Sequence, residues 1–228
     1  MKDEFISIVW HELRTPLTII KWYLSMIIEW DMWEVNPMVK EAINQSFEST
    51  KSLIWLVNDM LDLSKIESGK MVYVDEKVDI LELSSKLYSD LKVIADQKQI
   101  NFEFHKTWDF SHKILEIDPH KFKQIIINLV NNALKFTNKW WLIQFNILDQ
   151  GDMVRFEIQD SGIGMSPEQL DKIFHKFYQV DSALKRNTEW LGLGLSIIDW
   201  IIHHYESQIN VESEVWKGTK FYFSMRKA

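Results

Sequence analysis

Asn128–Thr137 reads NLVNNALKFT, and how this stretch is read decides what kind of domain contains it. Ahead of it, Asp118-Pro119 places a capping carboxylate before a proline, the pairing expected at a helix start. From there Phe122, Ile126, Leu129 and Ala133 recur at steps of three and four, which gives a helix one apolar face. Asn128, Asn132 and Lys135 fall on another face, at i, i+4 and i+7. A merely solvated face would look similar. Two neutral carboxamides and an ammonium group also supply what a Mg²⁺-bound phosphate needs, oxygens for the metal and a cation for the phosphate.

Around that helix the periodicity drops to two. Asn101 to Lys106, Leu142 to Leu148, Met153 to Gln159, Gln208 to Ser213 and Lys220 to Ser224 read as strands; Val154, Phe156 and Ile158 alternate with Arg155, Glu157 and Gln159. Ser166-Pro167-Glu168-Gln169 fits a capping box and predicts a further helix start. Residues 71–228 therefore predict a mixed α+β sandwich.

Three loops accompany these elements. Asp160–Met165 reads DSGIGM directly after a strand. Its carboxylate can accept from an exocyclic amino group such as that of adenine, while Gly162 and Gly164 allow positive φ and close backbone approach. Ile173–Ala183, IFHKFYQVDSA, taken alone reads as core aromatics, Phe174 and Phe177, before a loop. Leu191–Ile197, LGLGLSI, looks like a phosphate loop hinged at Gly192 and Gly194 and running into a helix.

Upstream, Phe5, Val9, Leu13, Leu17, Ile20, Leu24 and Ile27 form one helical stripe, kinked at Pro16. After Asn36-Pro37, Val39, Ile43, Phe47, Ile54, Val57 and Leu61 form a second stripe, which runs to Ser68-Gly69-Lys70. Residues 1–68 thus predict an antiparallel helical hairpin. A lone hairpin buries such stripes poorly, so two copies are expected to pair as a four-helix bundle in a homodimer. His11 lies roughly opposite the apolar stripe, facing water, with Glu12 beside it and Thr15 one turn on. A neutral imidazole is a competent nucleophile near neutral pH, and an adjacent carboxylate can take its ring proton. An idle surface histidine is the plainer alternative for a His met in isolation.

Composition narrows the function classes. At 228 residues with 46% hydrophobic and 26% charged side chains, the chain has the makeup of a soluble globular protein. A net charge of -7 argues against nucleic acid as a partner. With no cysteine, disulfides, thiolate zinc sites and thiol catalysis are excluded, which is compatible with a cytoplasmic location. No apolar run reaches the ~18 residues needed to span a bilayer. MKDEF is not a secretory signal, so any membrane anchor is expected outside this chain.

In order and spacing, WHELRTPLT, NLVNNALKFT, DSGIGM, IFHKFYQVD and LGLGLSI resemble the H, N, G1, F and G2 boxes of sensor histidine kinases. The resemblance covers essentially the whole chain. It implies a dimerisation and phosphoacceptor hairpin at 1–68. It also implies a Bergerat-type (GHKL) ATP-binding α/β sandwich at 71–228, the fold shared with gyrase, Hsp90 and MutL. By position it makes His11 the acceptor, Glu12 its base, and Thr15 the residue that would position water to dephosphorylate a partner receiver. It gives Asn128 and Asn132 to Mg²⁺ and the phosphates, with Lys135 and Phe136 beside them, and Asp160, Gly162 and Gly164 to adenine. Residues 179–194, with Lys185, Arg186, Gly192 and Gly194, become the lid. ATP and Mg²⁺ are the implied ligands, and a response-regulator receiver domain is the implied partner.

The sequence departs from the family at tryptophans. Trp190 stands where the glycine loop ordinarily has its first glycine, and Trp216, Trp30, Trp33 and the pair Trp140-Trp141 also stand where glycine suits a turn. There are 11 Trp and 7 Gly; pooled, they approach the usual glycine share of ~7%. One reading is that most of these tryptophans are UGA codons that the source organism reads as glycine. The alternative is a genuinely Trp-rich protein. An impaired kinase acting as scaffold or phosphatase would then be the second functional reading. A nucleic-acid ATPase of the same nucleotide fold is a third, disfavoured by the acidic charge and the His11 hairpin.

Overall fold

A computed structural model describes residues 13, 17–25, 27, 37–107, 113–179 and 192–228. His11, Glu12, Thr15, Pro16, Lys185, Arg186 and Trp190 lie outside the described residues. The chain divides into two compact units, Met1–Met71 with Lys176–Leu193, and Val72–His175 with Gly194–Ala228.

In the first unit, residues 17–25 are helical (α1), and α2 spans Pro37–Glu67. Its C-terminus is closed by Gly69 at φ 66, with Gly69 N donating to Ile66 O and Lys70 N to Lys65 O. That pair of bonds satisfies orphan carbonyls through the left-handed turn that glycine adopts without penalty. The predicted stripes are only partly covered within one chain. Leu17, Val57 and Leu61 are buried, whereas Leu13, Ile20, Ile27 and Val39 are 45–49% exposed. On α2, burial beside Asp62 pushes the Asp59 carboxyl up to about 7.

The second unit is built on a five-stranded sheet whose neighbouring strands are, in spatial order, residues 101–107, 142–150, 153–160, 218–226 and 210–214. The strands are β2 (Asn101–Thr107), β4 (Leu142–Gln150), β5 (Met153–Asp160), β6 (Asn210–Glu214) and β7 (Gly218–Arg226). Only β2 and β4 run parallel; the other neighbours are antiparallel. All five match the predicted strands. Alternation puts Phe145, Ile147, Val154, Phe156, Ile158 and Phe223 on one fully buried face. That face is covered by α3 (Ile80–Gln97) and α4 (Pro119–Phe136); the short α5 (Pro167–Leu170) follows β5, and α6 (Gly194–His204) packs beside α4. The fold is α+β, a helical region followed by a two-layer α/β sandwich. A small ribbon of β1 (Glu76–Asp79) and β3 (Ile114–Ile117) was not foreseen, nor was α3 individually placed.

The predicted start of α4 is present. Asp118 Oδ1 accepts from His120 N at 2.8 Å and Lys121 N at 3.1 Å. The same carboxylate accepts from Val74 N at 3.0 Å, and Asp118 N donates to Tyr205 Oη, which itself donates to Asp75 at 2.7 Å. Tyr73 stacks on His204 with ring centroids 3.6 Å apart. Residues 73–75 are thereby stitched to the N-terminus of α4 and the C-terminus of α6. Burial raises the Asp118 pKa, but the three backbone donors outweigh it, and the carboxyl lies below its ordinary value. Its stabilisation is therefore present above the unfolded-state pKa and lost as pH falls through the folded one. Asp118→Ala should cost about 2 kcal/mol in denaturant unfolding at neutral pH, and Asp118→Asn, which keeps a capping oxygen, clearly less.

Among the described residues, five that are not glycine hold a left-handed φ: Gln99, Trp140, Phe177, Glu206 and Trp216. For a bulky side chain this conformation is a genuine outlier. Trp216→Gly should therefore raise stability by about 1 kcal/mol, seen as a higher denaturant midpoint at unchanged slope.

Candidate nucleotide-binding site

Four segments of the second unit build the site: the last three turns of α4, the loop after β5, the β6–β7 turn, and the first turn of α6. On α4, Leu129 and Ala133 point into the core, and the same register sets Asn128 at the base of the polar face. Asn128 is 4% exposed, and its Nδ2 has no hydrogen-bond partner. Its Oδ1 lies 3.1 Å from where a Cβ on Gly194 would stand. Glycine at 194 thus lets the start of α6 come up against this carboxamide. A buried amide left unpaired costs ~1–3 kcal/mol, which a ligand acceptor would recover. Together, the N-terminus of the 11-residue α6 and the Asn128 donor suit an anion.

Asn132, one turn on, is half-buried, and so is Lys135, whose Nζ lies 4.8 Å from the Phe136 ring centroid. Burial lowers the Lys135 pKa. The C-terminal end of α4 then meets the loop after β5. Ile163 N donates to Phe136 O at 3.2 Å, and a Cβ on Gly162 would overlap that same carbonyl. Gly164, at φ +65, has Glu214 O where a side chain would go.

Asp160 ends β5 and is 7% exposed. Burial pushes its carboxyl up to about 6, opposed by hydrogen bonds from the amides of Gly162, at 2.7 Å, and Thr219. The β6–β7 turn braces this loop: Trp216 N donates to Ile163 O at 2.7 Å, and Met165 N to Ser213 Oγ at 2.9 Å. Ser213 Oγ also donates to Gly218 O and pairs with Thr219 Oγ1 at 3.0 Å. Position 216 therefore adjoins the adenine-type loop. Ser213 and Thr219, which hold this loop and Asp160, are not among the residues singled out by their sequence pattern. Lys217-Gly218-Thr219 opening a strand was the available signal.

In the first unit, Gly192 at φ +70 packs under Phe177 and Tyr178. Phe177 N donates to Gly192 O at 3.1 Å, and a Cβ on Gly192 would overlap Tyr178 O. Phe174 is half-buried, but Phe177 is 59% exposed at φ 65, so it is not the core aromatic that its stretch alone suggests. Of the residues singled out in the sequence, Asn128 with Gly194, and Phe136 with Asp160, Gly162 and Gly164, are brought together. Among the described residues no cluster of three His, Cys, Asp or Glu side chains could hold a metal.

This arrangement, an α/β sandwich with an asparagine-bearing helix against a glycine loop and a buried aspartate, defines a class of nucleotide-binding domain. Residues 117–228 match the family of histidine kinase-, DNA gyrase B- and HSP90-like ATPases, and residues 1–69 match the His kinase A phosphoacceptor domain. Drug sensory protein A of Synechocystis sp. is 37% identical over 236 residues, covering 98% of this chain and 35% of that protein. The solved structure of full-length ShkA in complex with AMPPNP has a TM-score of 0.75 at 25% identity, covering 99% of this chain and 46% of that one. Histidine kinase ThkA, solved in complex with the response regulator TrrA, has a TM-score of 0.66 at 27% identity, covering 99% and 61%. The chain belongs to the sensor histidine kinases. It spans about a third of the length of the curated relatives it matches.

Proposed function

We propose that this chain is the kinase core of a two-component sensor, an ATP:protein-histidine phosphotransferase acting as a homodimer through residues 1–68, with residues 71–228 as its ATP-binding domain. The observation that carries the reading is Asn128: a buried carboxamide with an unpartnered donor, facing the start of α6, in a fold whose relative ShkA is solved with an ATP analogue. In this reading Asp160 accepts from the adenine amino group, and Lys135 and the start of α6 neutralise phosphate charge. Carboxamide oxygens of Asn132 and Asn128 suit Mg²⁺, a hard cation that accepts few protein oxygens beside phosphate and water. Bound there, the ion would screen the charge that builds on the leaving phosphate oxygens.

On the hairpin, the unprotonated His11 nitrogen forms the bond to the γ-phosphorus as the bond to the ADP oxygen breaks, and Glu12 takes the ring proton. The phosphoryl group then passes to an aspartate of a receiver domain. Thr15 serves the reverse task, holding the water that hydrolyses that aspartyl phosphate. ThkA, solved with a response regulator, supports a receiver as partner. Exposed apolar residues on both helices, Leu13, Ile20, Ile27 and Val39, support pairing of two copies. The protein should run at dimer mass at micromolar concentration, and a monomeric mass would remove the four-helix bundle. Transfer is tested by adding receiver domains from the source organism to the phosphorylated protein. Label should move to one receiver and stay behind when that receiver's aspartate is replaced by alanine. Label that moves to no receiver sinks the phosphotransfer step.

A further inference from the structure

Eleven tryptophans and seven glycines stand in this chain, the inverse of ordinary proteins, where glycine alone is ~7% of residues. Six of the tryptophans lie among the described residues, and none of them is in the core. Trp22 and Trp55 are exposed on the hairpin, where pairing of two copies would cover apolar side chains; in the second unit, where no such pairing is invoked, Trp140, Trp200 and Trp216 are exposed and Trp141 is half-buried. Of the eleven described phenylalanines, six (Phe102, Phe122, Phe145, Phe156, Phe221 and Phe223) are buried and Phe177 alone is exposed. Tryptophan carries one of the largest apolar surfaces of any side chain and is highly buried on average, so a fold that places phenylalanine correctly has no reason to leave its tryptophans outside.

The backbone adds an independent observation. Trp140 sits at φ 68 with 71% exposure, and Trp216 at φ 64 with 70% exposure. Both conformations are set by main-chain bonds, Trp140 N to Gln99 O at 2.6 Å and Trp216 N to Ile163 O at 2.7 Å. The turns require left-handed backbone, whose natural occupant is glycine, and the exposed rings gain no burial that would offset the strain.

We propose that positions 140 and 216 are glycine in the protein as its own cell makes it, and that the tryptophans there stand for UGA codons that this organism reads as glycine. The same codon assignment extends to Trp190, two residues before Gly192. The nucleotide loop of the natural chain then carries one glycine more than the sequence shows. This inference stands apart from the kinase reading, because it rests on backbone geometry and burial and would survive loss of any activity. The test is to read the codons at positions 140, 190 and 216 in the source gene and to weigh the corresponding peptides of the protein purified from the source organism. UGA at all three, with peptide masses of glycine, is the expected result. UGG at 140 or 216, or a tryptophan mass in either natural peptide, overturns it.

Discussion

Asn132→Asp should abolish autophosphorylation and cost roughly a thousandfold in affinity for a Mg²⁺-free ATP analogue. The half-buried carboxamide of Asn132 lies on the polar face of α4, one turn beyond Asn128. A carboxylate in its place would repel a phosphate 4 Å away by about 4 kcal/mol at an effective dielectric of 20. Since ~1.4 kcal/mol is a factor of ten, that loss leaves almost no binding at ordinary nucleotide concentrations. The apolar side of α4 is untouched, so the thermal unfolding midpoint should move little. Isothermal titration reads the affinity directly. A variant that binds the analogue like its parent removes Asn132 from the site.

Asp160→Asn should separate stability from binding. Burial holds the Asp160 carboxyl up at about 6, above its unfolded value, so its contribution to stability is fully present below the unfolded pKa and lost as pH rises through 6. Replacing it by a neutral amide relieves a buried charge, and the variant should unfold at a higher temperature than the parent at pH 8. Nucleotide binding should move the other way. An acceptor that carries charge is worth ~1.5–3 kcal/mol, so affinity should fall by about tenfold to a hundredfold. In the parent, affinity should weaken as pH drops below 6, because protonation spoils the acceptor; in the variant that dependence should flatten. A purely structural Asp160 would show the stability gain and no change in affinity.

Local signals made much of the fold legible. Asp118-Pro119 and Ser166-Pro167 marked helix starts because capping is settled within three residues, and both helices begin there. The sheet strands were legible because covered and exposed side chains alternate along them, most clearly in β4, β5 and β7. The β1–β3 ribbon was not, since four residues such as Glu76–Asp79 are too few to show alternation, and their partners come from Ile114–Ile117, far along the chain. The same division runs through the site. Asn128, Asn132 and Lys135 share a helix face, so their spacing exposed them. The Thr219 amide on Asp160 and the Tyr205 hydroxyl between Asp75 and Asp118 could not be found that way. A backbone donor leaves no mark in the sequence, and a tyrosine meeting residues 130 and 87 positions away acquires its role only from the tertiary fold.

The central claim is that this chain moves the γ-phosphoryl group of ATP onto His11. The most direct measurement incubates the protein and its His11→Gln variant with γ-labelled ATP and Mg²⁺, then maps the label by peptide. The account predicts acid-labile, alkali-stable label on the peptide that contains His11, and none on the variant although it still binds the nucleotide. Label on the His11→Gln protein, or no label on a parent that binds ATP, would contradict it.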